Sequence, residues 1–202
     1  MDILLHICCA ACAIGPCEEL TGQGHDVAGY FYNPNIHPFI EFRRRLKALK
    51  VWQERVPVAV VYEEEYGLKS YLESVRWSDA DPAVRCGDCY RLRLEGTARE
   101  AARLGFPAFS TTLLASQEQD HALVRRVGEE AAQQAGVEFF YADWRAAASE
   151  NHRRAKEMGL YLQNYCGCIF SEWERFRDTS RHAYRGSGPM RSPRSGESQS
   201  GT

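Results

Sequence analysis

The chain has 202 residues, 44% of them hydrophobic, and a formal net charge of −2. Such a length supports one domain with a real core, and the apolar content argues against a mostly disordered chain. No apolar run approaches the roughly 18 residues of a membrane span, and the overall charge carries no nucleic-acid signal, so binding of that kind needs a local patch.

The first predicted element is Ile3–Ile7, an apolar run that reads as a buried parallel strand. It delivers Cys8, Cys9 and Cys12 at its carboxyl end. Neighbouring side chains on an extended strand face opposite ways, but where the backbone turns two adjacent thiols can reach one mouth. A helix starting near Ala10 would turn its first N–H groups toward the thiols and lower their pKa. The glycine-bearing stretch from Pro16 to His25 reads as a loop or helix exit. Val27–Tyr32 is a second strand, and Asn33-Pro34-Asn35 a turn carried on by Ile36-His37-Pro38. Phe39–Arg55 is predicted as an amphipathic helix, with Phe39, Phe42, Leu46, Leu49 and Trp52 on the apolar face. Arg43, Arg44, Lys47 and Lys50 make its other face, either solvated charge or a phosphate-facing patch.

Pro57–Val61 is a third strand, the three glutamates from Glu63 a solvated turn, Tyr66–Val75 a short helix and Ser78–Pro82 a loop. The Cys86-Gly-Asp-Cys89 group opens a helix running to about Leu104, ended by Gly105. A fourth strand, Pro107–Thr111, ends at Thr111-Thr112. A helix over Glu118–Gln134 precedes a fifth strand, Val137–Tyr141. The stretch from Arg145 to Tyr161 is polar and helical in parts, and Cys166-Gly167-Cys168 follows. Strands alternating with helices predict an α/β fold, a doubly wound parallel sheet of about five strands. Residues 1–182 would form that single domain, with a cysteine-rich C-terminal segment. Residues 183–202, rich in Gly, Ser, Pro and Arg, read as a disordered basic tail. The last 22 residues carry four arginines against Glu197, which leaves the folded part mildly acidic.

Seven of the eight cysteines fall in three tight groups, and Cys17 stands apart. The N-terminus begins with acidic Asp2 and shows no cleavage pattern, so the reading expects no signal peptide and a cytoplasmic location. There, clustered cysteines bind metal or react rather than form disulfides. Cys86 and Cys89 are one helical turn apart, a common metal-ligand arrangement. The glycine between Cys166 and Cys168 lets the backbone fold close to a bulky centre. Seven ligands exceed the four that one zinc or one cubane cluster uses, which suggests a cluster plus a second metal or a cluster plus reactive thiols. Asn33, Asn35, His37, Tyr62, Thr111, Thr112, Asp143 and Arg145 all follow predicted strand ends. They would share one rim beside the metal. His6, inside the first strand, reads as a hydrogen-bonded core residue.

These pieces together resemble the non-cobalamin epoxyqueuosine reductase family, QueH. The resemblance is carried by His6-Ile-Cys-Cys-Ala-Ala-Cys12, Phe31-Tyr-Asn-Pro-Asn-Ile-His-Pro38, Glu41-Phe-Arg-Arg-Arg45 and Arg85-Cys-Gly-Asp-Cys-Tyr-Arg-Leu92. It continues through Phe109-Ser-Thr-Thr-Leu-Leu-Ala-Ser116, Phe140-Tyr-Ala-Asp-Trp-Arg145 and Leu160-Tyr-Leu-Gln-Asn-Tyr-Cys-Gly-Cys-Ile-Phe-Ser171. The chain departs from the family pattern at Ala10-Ala11 and at Ser116-Gln117, where proline is usual at the second position of each pair. The departures remove no ligand type.

The resemblance implies an adenine-nucleotide hydrolase-like (HUP-type) fold and an oxidoreductase. It would reduce epoxyqueuosine at the tRNA wobble position to queuosine, the last step of that modification. It also implies a [4Fe–4S] cluster with an additional mononuclear iron nearby, and an unidentified low-potential electron donor. On that basis Cys9, Cys86, Cys89 and Cys168 are assigned to the cluster, and Cys8, Cys12 and Cys166 to the second iron. Asp143, His37 or Tyr62 would supply a proton, and Asn33, Asn35, Arg44, Thr111, Thr112 and Arg145 would bind substrate. The competing readings are an iron–sulfur tRNA sulfurtransferase and a non-enzymatic metal-binding module. The first would need a phosphate-binding loop where this chain has Cys-Cys-Ala-Ala-Cys.

Overall fold

The computed structural model describes residues 1–75 and 81–178. Five parallel strands form one sheet: β1 (Asp2–His6), β2 (Asp26–Phe31), β3 (Ala59–Tyr62), β4 (Ala108–Thr111) and β5 (Glu138–Phe139), in the order β3-β2-β1-β4-β5. The chain runs from β1 outward to β3, then returns to place β4 on the other side of β1. His6 pairs in register with Tyr30 on one side and Thr111 on the other. The carboxyl ends of β1 and β4 therefore flank the point where strand order reverses, where open α/β sheets build their sites. Ile3, Leu4 and Leu5 are fully buried because β1 is covered on both faces.

On one face α1 (Ala10–Gly22) packs against α2 (Phe39–Gln53) and α6 (Ala148–Glu157). On the other, α4 (Pro82–Leu104) packs against α5 (His121–Ala135). The short helices α3 (Leu68–Ser74) and α7 (Ile169–Phe176) lie near the start of α4 and after the last cysteine pair. Among the described residues no helix is long and apolar enough to cross a membrane.

The doubly wound α/β prediction holds, and several boundaries move. The predicted exit at Pro16 is a continuous helix, α1, with Pro16 inside it. Burial of Ala10, Ala13, Ile14, Cys17 and Leu20 outweighs the one hydrogen bond that proline removes. Helix α4 begins at Pro82, four residues before the predicted start, because Asp81 caps it by accepting the Ala83 N–H at 2.9 Å. Gly105 ends it in the left-handed region, as expected. Helix α5 starts at His121, three residues late, with Asp120 as its cap. Strand β5 keeps only two of five predicted residues. Beyond it the Phe140 N–H still bonds the Phe109 carbonyl at 2.8 Å, so the edge chain follows β4 without completing a ladder. Most of the predicted 78–82 loop and the proposed tail lie outside the described residues, as does the boundary at residue 182.

Candidate metal centre

Three separate elements bring the cysteines to one cavity. The sulfurs of Cys8, Cys9 and Cys12 lie within 4.8 Å of one another. The tight turn out of β1 causes this: Cys9 is the N-cap of α1 and its sulfur accepts the Cys12 N–H at 3.2 Å. Cys86 and Cys89 come from the second turn of α4, one above the other. Cys166 and Cys168 come from the segment before α7, where Cys168 is the N-cap. A cavity of about 780 Å³ is lined by Cys8, Cys12, Cys86, Cys89, Cys166 and Cys168, with Cys9 buried behind. The grouping of Cys9 with Cys8 and Cys12 cuts across the division drawn from the sequence, which placed Cys9 with Cys86, Cys89 and Cys168. Cys17 is buried in α1 away from the cavity, and burial pushes its thiol up to about 12.

The thiols do not titrate as the helix-terminus argument expected. Cys8 is held well below the usual thiol range. Hydrogen bonds from the Cys12 and Cys9 thiols are the main cause, helped by Thr112. Cys9 is pushed up by burial and Cys12 by its contacts with Cys8 and Cys9. Burial raises Cys89 to about 12 and raises Cys166 too, while Cys86, exposed at the cavity mouth, is raised by partial desolvation; neighbouring thiols add to the effect in each. At the helix start, desolvation of Cys9 outweighs the donated N–H.

The other predicted site residues divide into three sets. Thr112 is in the site, but its contact is with a ligand. It accepts the Cys8 N–H at 3.1 Å and its hydroxyl donates to the Cys8 sulfur at 3.3 Å. Thr111, Asn33, Asn35 and His37 are buried supports. The Thr111 hydroxyl meets His6 Nδ1 at 2.8 Å, and Asn33 Nδ2 donates to the Ile7 carbonyl at 2.8 Å. Asn35 is buried with its Oδ1 unpartnered. His37 Nδ1 meets the Tyr66 hydroxyl at 3.1 Å, and burial lowers its pKa to about 4. His6, as predicted, is a core residue with both ring nitrogens engaged and its pKa lowered to about 4, chiefly by burial.

Tyr62, Asp143, Arg145 and Arg44 are not on the cavity wall. The Tyr62 hydroxyl donates to Gln53 at 2.6 Å. Asp143 and Arg145 pair with each other on the surface, and Arg145 holds the carboxyl well below its usual range. Arg44 is exposed, its guanidinium 5.6 Å from the Tyr161 ring centre.

Its neighbour Arg45 is the arginine in the site. It is 2% exposed and pairs with Glu41 at 2.7 Å, while its two terminal nitrogens donate to the Tyr165 and Cys166 carbonyls at 2.9 Å each. Helical phase carries the signal: Phe42, Arg45, Leu49 and Trp52 form one buried face, so a charge sits within the core stripe. Gly167, at φ +124°, packs on that guanidinium, and a Cβ there would lie 3.1 Å from it. The bulky group beside this glycine is Arg45. Sequence reading also missed Gln163, which donates to the Cys9 sulfur at 3.0 Å, and Gln119, whose amide lies 3.8 Å from the Cys166 sulfur. Neither has a periodic or motif signal. Arg93 is likewise buried, one turn beyond Cys89 on the same face of α4.

A donor set made of sulfur suits iron–sulfur centres or zinc, and not hard cations. The residues fit such a group: soft ligands converge from three directions, and buried guanidinium groups offset the charge of thiolates.

A family model described as "Epoxyqueuosine reductase QueH" matches residues 3–174. A relative from Dehalococcoides mccartyi is 38% identical over 174 residues, covering 86% of this chain and 94% of the relative. One from Thermotoga maritima is 36% identical over 185 residues, covering 86% and 91%. One from Helicobacter pylori is 33% identical over 180 residues, covering 84% and 49%. All three carry the name epoxyqueuosine reductase QueH.

Proposed function

The chain belongs to the epoxyqueuosine reductase QueH family, and from that premise we propose that it removes the epoxide oxygen of epoxyqueuosine in tRNA to leave queuosine. The carrying observation is the convergence of three cysteine groups on one cavity at the topological switch point. The reaction consumes two electrons and two protons and releases the oxygen as water. An unidentified low-potential donor supplies the electrons.

A [4Fe–4S] cluster and a further iron, when bound, supply electrons one at a time and a Lewis acid for the epoxide oxygen. Cys86, Cys89, Cys166 and Cys168 would hold the cluster. Cys8, Cys9 and Cys12 would hold the second iron. The clustering of the last three sulfurs supports this division. Thr112 and Gln163 orient the Cys8, Cys9 and Cys12 side chains. A proton donor must lie within hydrogen-bond reach of the departing oxygen. The three residues first considered are off the cavity wall, whereas His152 is on it and exposed to solvent. His152 is therefore the candidate to mutate first. The wobble base leaves its stack to reach so recessed a cavity.

Anaerobic reconstitution followed by iron and sulfide analysis, and an assay on epoxyqueuosine-containing tRNA, tests the reading. The expected result is broad absorption near roughly 400 nm, more iron than sulfide, and conversion of the tRNA. Equal iron and sulfide with full activity would remove the second iron. Zinc alone with no conversion would remove the reductase reading.

A further inference from the structure

Among the described residues two guanidinium groups are buried beside the cysteines, and only one of them pairs with a carboxylate. Arg45 pairs with Glu41. Arg93 is 1% exposed and makes no ion pair among the described residues. Its Nε donates to the Cys89 carbonyl at 3.2 Å, and its guanidinium lies 5.7 Å from the Tyr90 ring centre. Its Nη2 is buried with no hydrogen-bond partner. The groups that face it with possible negative charge are Cys89, Cys166, Cys8 and Tyr90. It also faces His6, a neutral ring.

A buried cation without a counter-charge is strongly disfavoured. The fold nevertheless keeps one here, against thiols from all three cysteine groups. We propose that Arg93 is the built-in counter-charge of the iron centre and that it raises the centre's reduction potential. The inference rests on the iron–sulfur reading above.

Adding an electron to a thiolate-ligated cluster makes it more negative by one charge. A fixed cation nearby stabilises the reduced form more than the oxidised form, and burial leaves that attraction poorly screened. Net charge and hydrogen bonding are main determinants of cluster potential. Arg45 contributes less, because Glu41 cancels most of its charge.

The test is a dithionite redox titration of reconstituted Arg93→Met, Arg93→Gln and Arg93→Lys, with iron and sulfide measured on each. Arg91→Gln is the control. That arginine is on the same helix but is 46% exposed and pairs with Asp88 and Glu95. The expected result is wild-type loading with a more negative midpoint potential in the Met and Gln variants. The Lys variant should recover most of the shift, and Arg91→Gln should show none. A purely packing role would not separate Lys from Met. Neutral variants that load fully at the wild-type potential, or a Lys variant as negative as Met, would overturn the proposal. If the neutral variants take up no iron, normal loading and potential in Arg93→Lys support the need for the charge, and failure of Arg93→Lys overturns it. A wild-type protein that gives no iron–sulfur spectrum would instead overturn the iron reading itself.

Discussion

Thr112 shows how one side chain fixes another. Its hydroxyl oxygen takes the Cys8 N–H while its proton goes to the Cys8 sulfur. Thr112→Val keeps the shape and leaves a buried N–H without an acceptor, at a cost of about 1–3 kcal/mol. Chemical denaturation should show that loss, and iron retention should fall with it; Thr112→Ser should recover both. Cys17 makes the opposite case. It is buried and outside the cavity, so Cys17→Ala should keep full iron content, and a bleached protein would contradict the grouping. At this scale the sequence reveals the thiols and Thr112, but not the other side chains that touch the thiols. A cysteine declares its chemistry wherever it falls, whereas Arg44 and Arg45 are alike in composition. Only helical phase puts one over a surface tyrosine and the other against the Cys166 carbonyl. Gln163 gives no local cue, because its role arises from a contact more than 150 residues away in sequence.

Helix α2 carries the exposed positive charge that would meet the polyanionic substrate of the proposed reaction. Arg43, Arg44 and Lys47 are exposed on it, and Lys50 is tied to Glu64 and lies 5.2 Å from the Tyr62 ring centre. The helix follows the Asn33–Pro38 turn, whose His37 N–H bonds the Gly167 carbonyl at 2.7 Å, so its start is close to the cysteine segment. Arg43→Glu with Lys47→Glu should weaken tRNA binding, most at low salt, and flatten the slope of log affinity against log salt by about 2. The cluster spectrum should stay unchanged. Normal binding by this variant, combined with loss of binding on deletion of residues 184–202, would move the contact to the tail. Element identity was readable where one pattern dominated, as in β1 and α4. Boundaries slipped where a cap or a tertiary contact competed: Asp81 drew α4 back, and the edge position of β5 cut that strand short.

The doubly wound topology was readable at the level of the whole molecule because strands and helices alternate. The convergence of Cys8, Cys86 and Cys166 follows from that topology and from no periodicity. A metal held by all three groups, as proposed above, would cross-link them, which raises the question of whether the fold waits for it. The backbone around the third cysteine group is already tied down: the Tyr165 hydroxyl donates to the His37 carbonyl, the His37 N–H to Gly167, and Arg45 to the Tyr165 and Cys166 carbonyls. None of these bonds involves a sulfur. Chelation should therefore leave the far-ultraviolet circular dichroism nearly intact while lowering Tm, since a ligand of the native state stabilises only by mass action. Collapse of the helical signal would show the opposite, the behaviour of zinc fingers. The hydrogen-bonded strap makes the metal-free chain a receptor with its walls standing. On the iron reading proposed above, uptake would cost little ordering entropy, and its pace would be set by delivery through the cavity mouth rather than by folding.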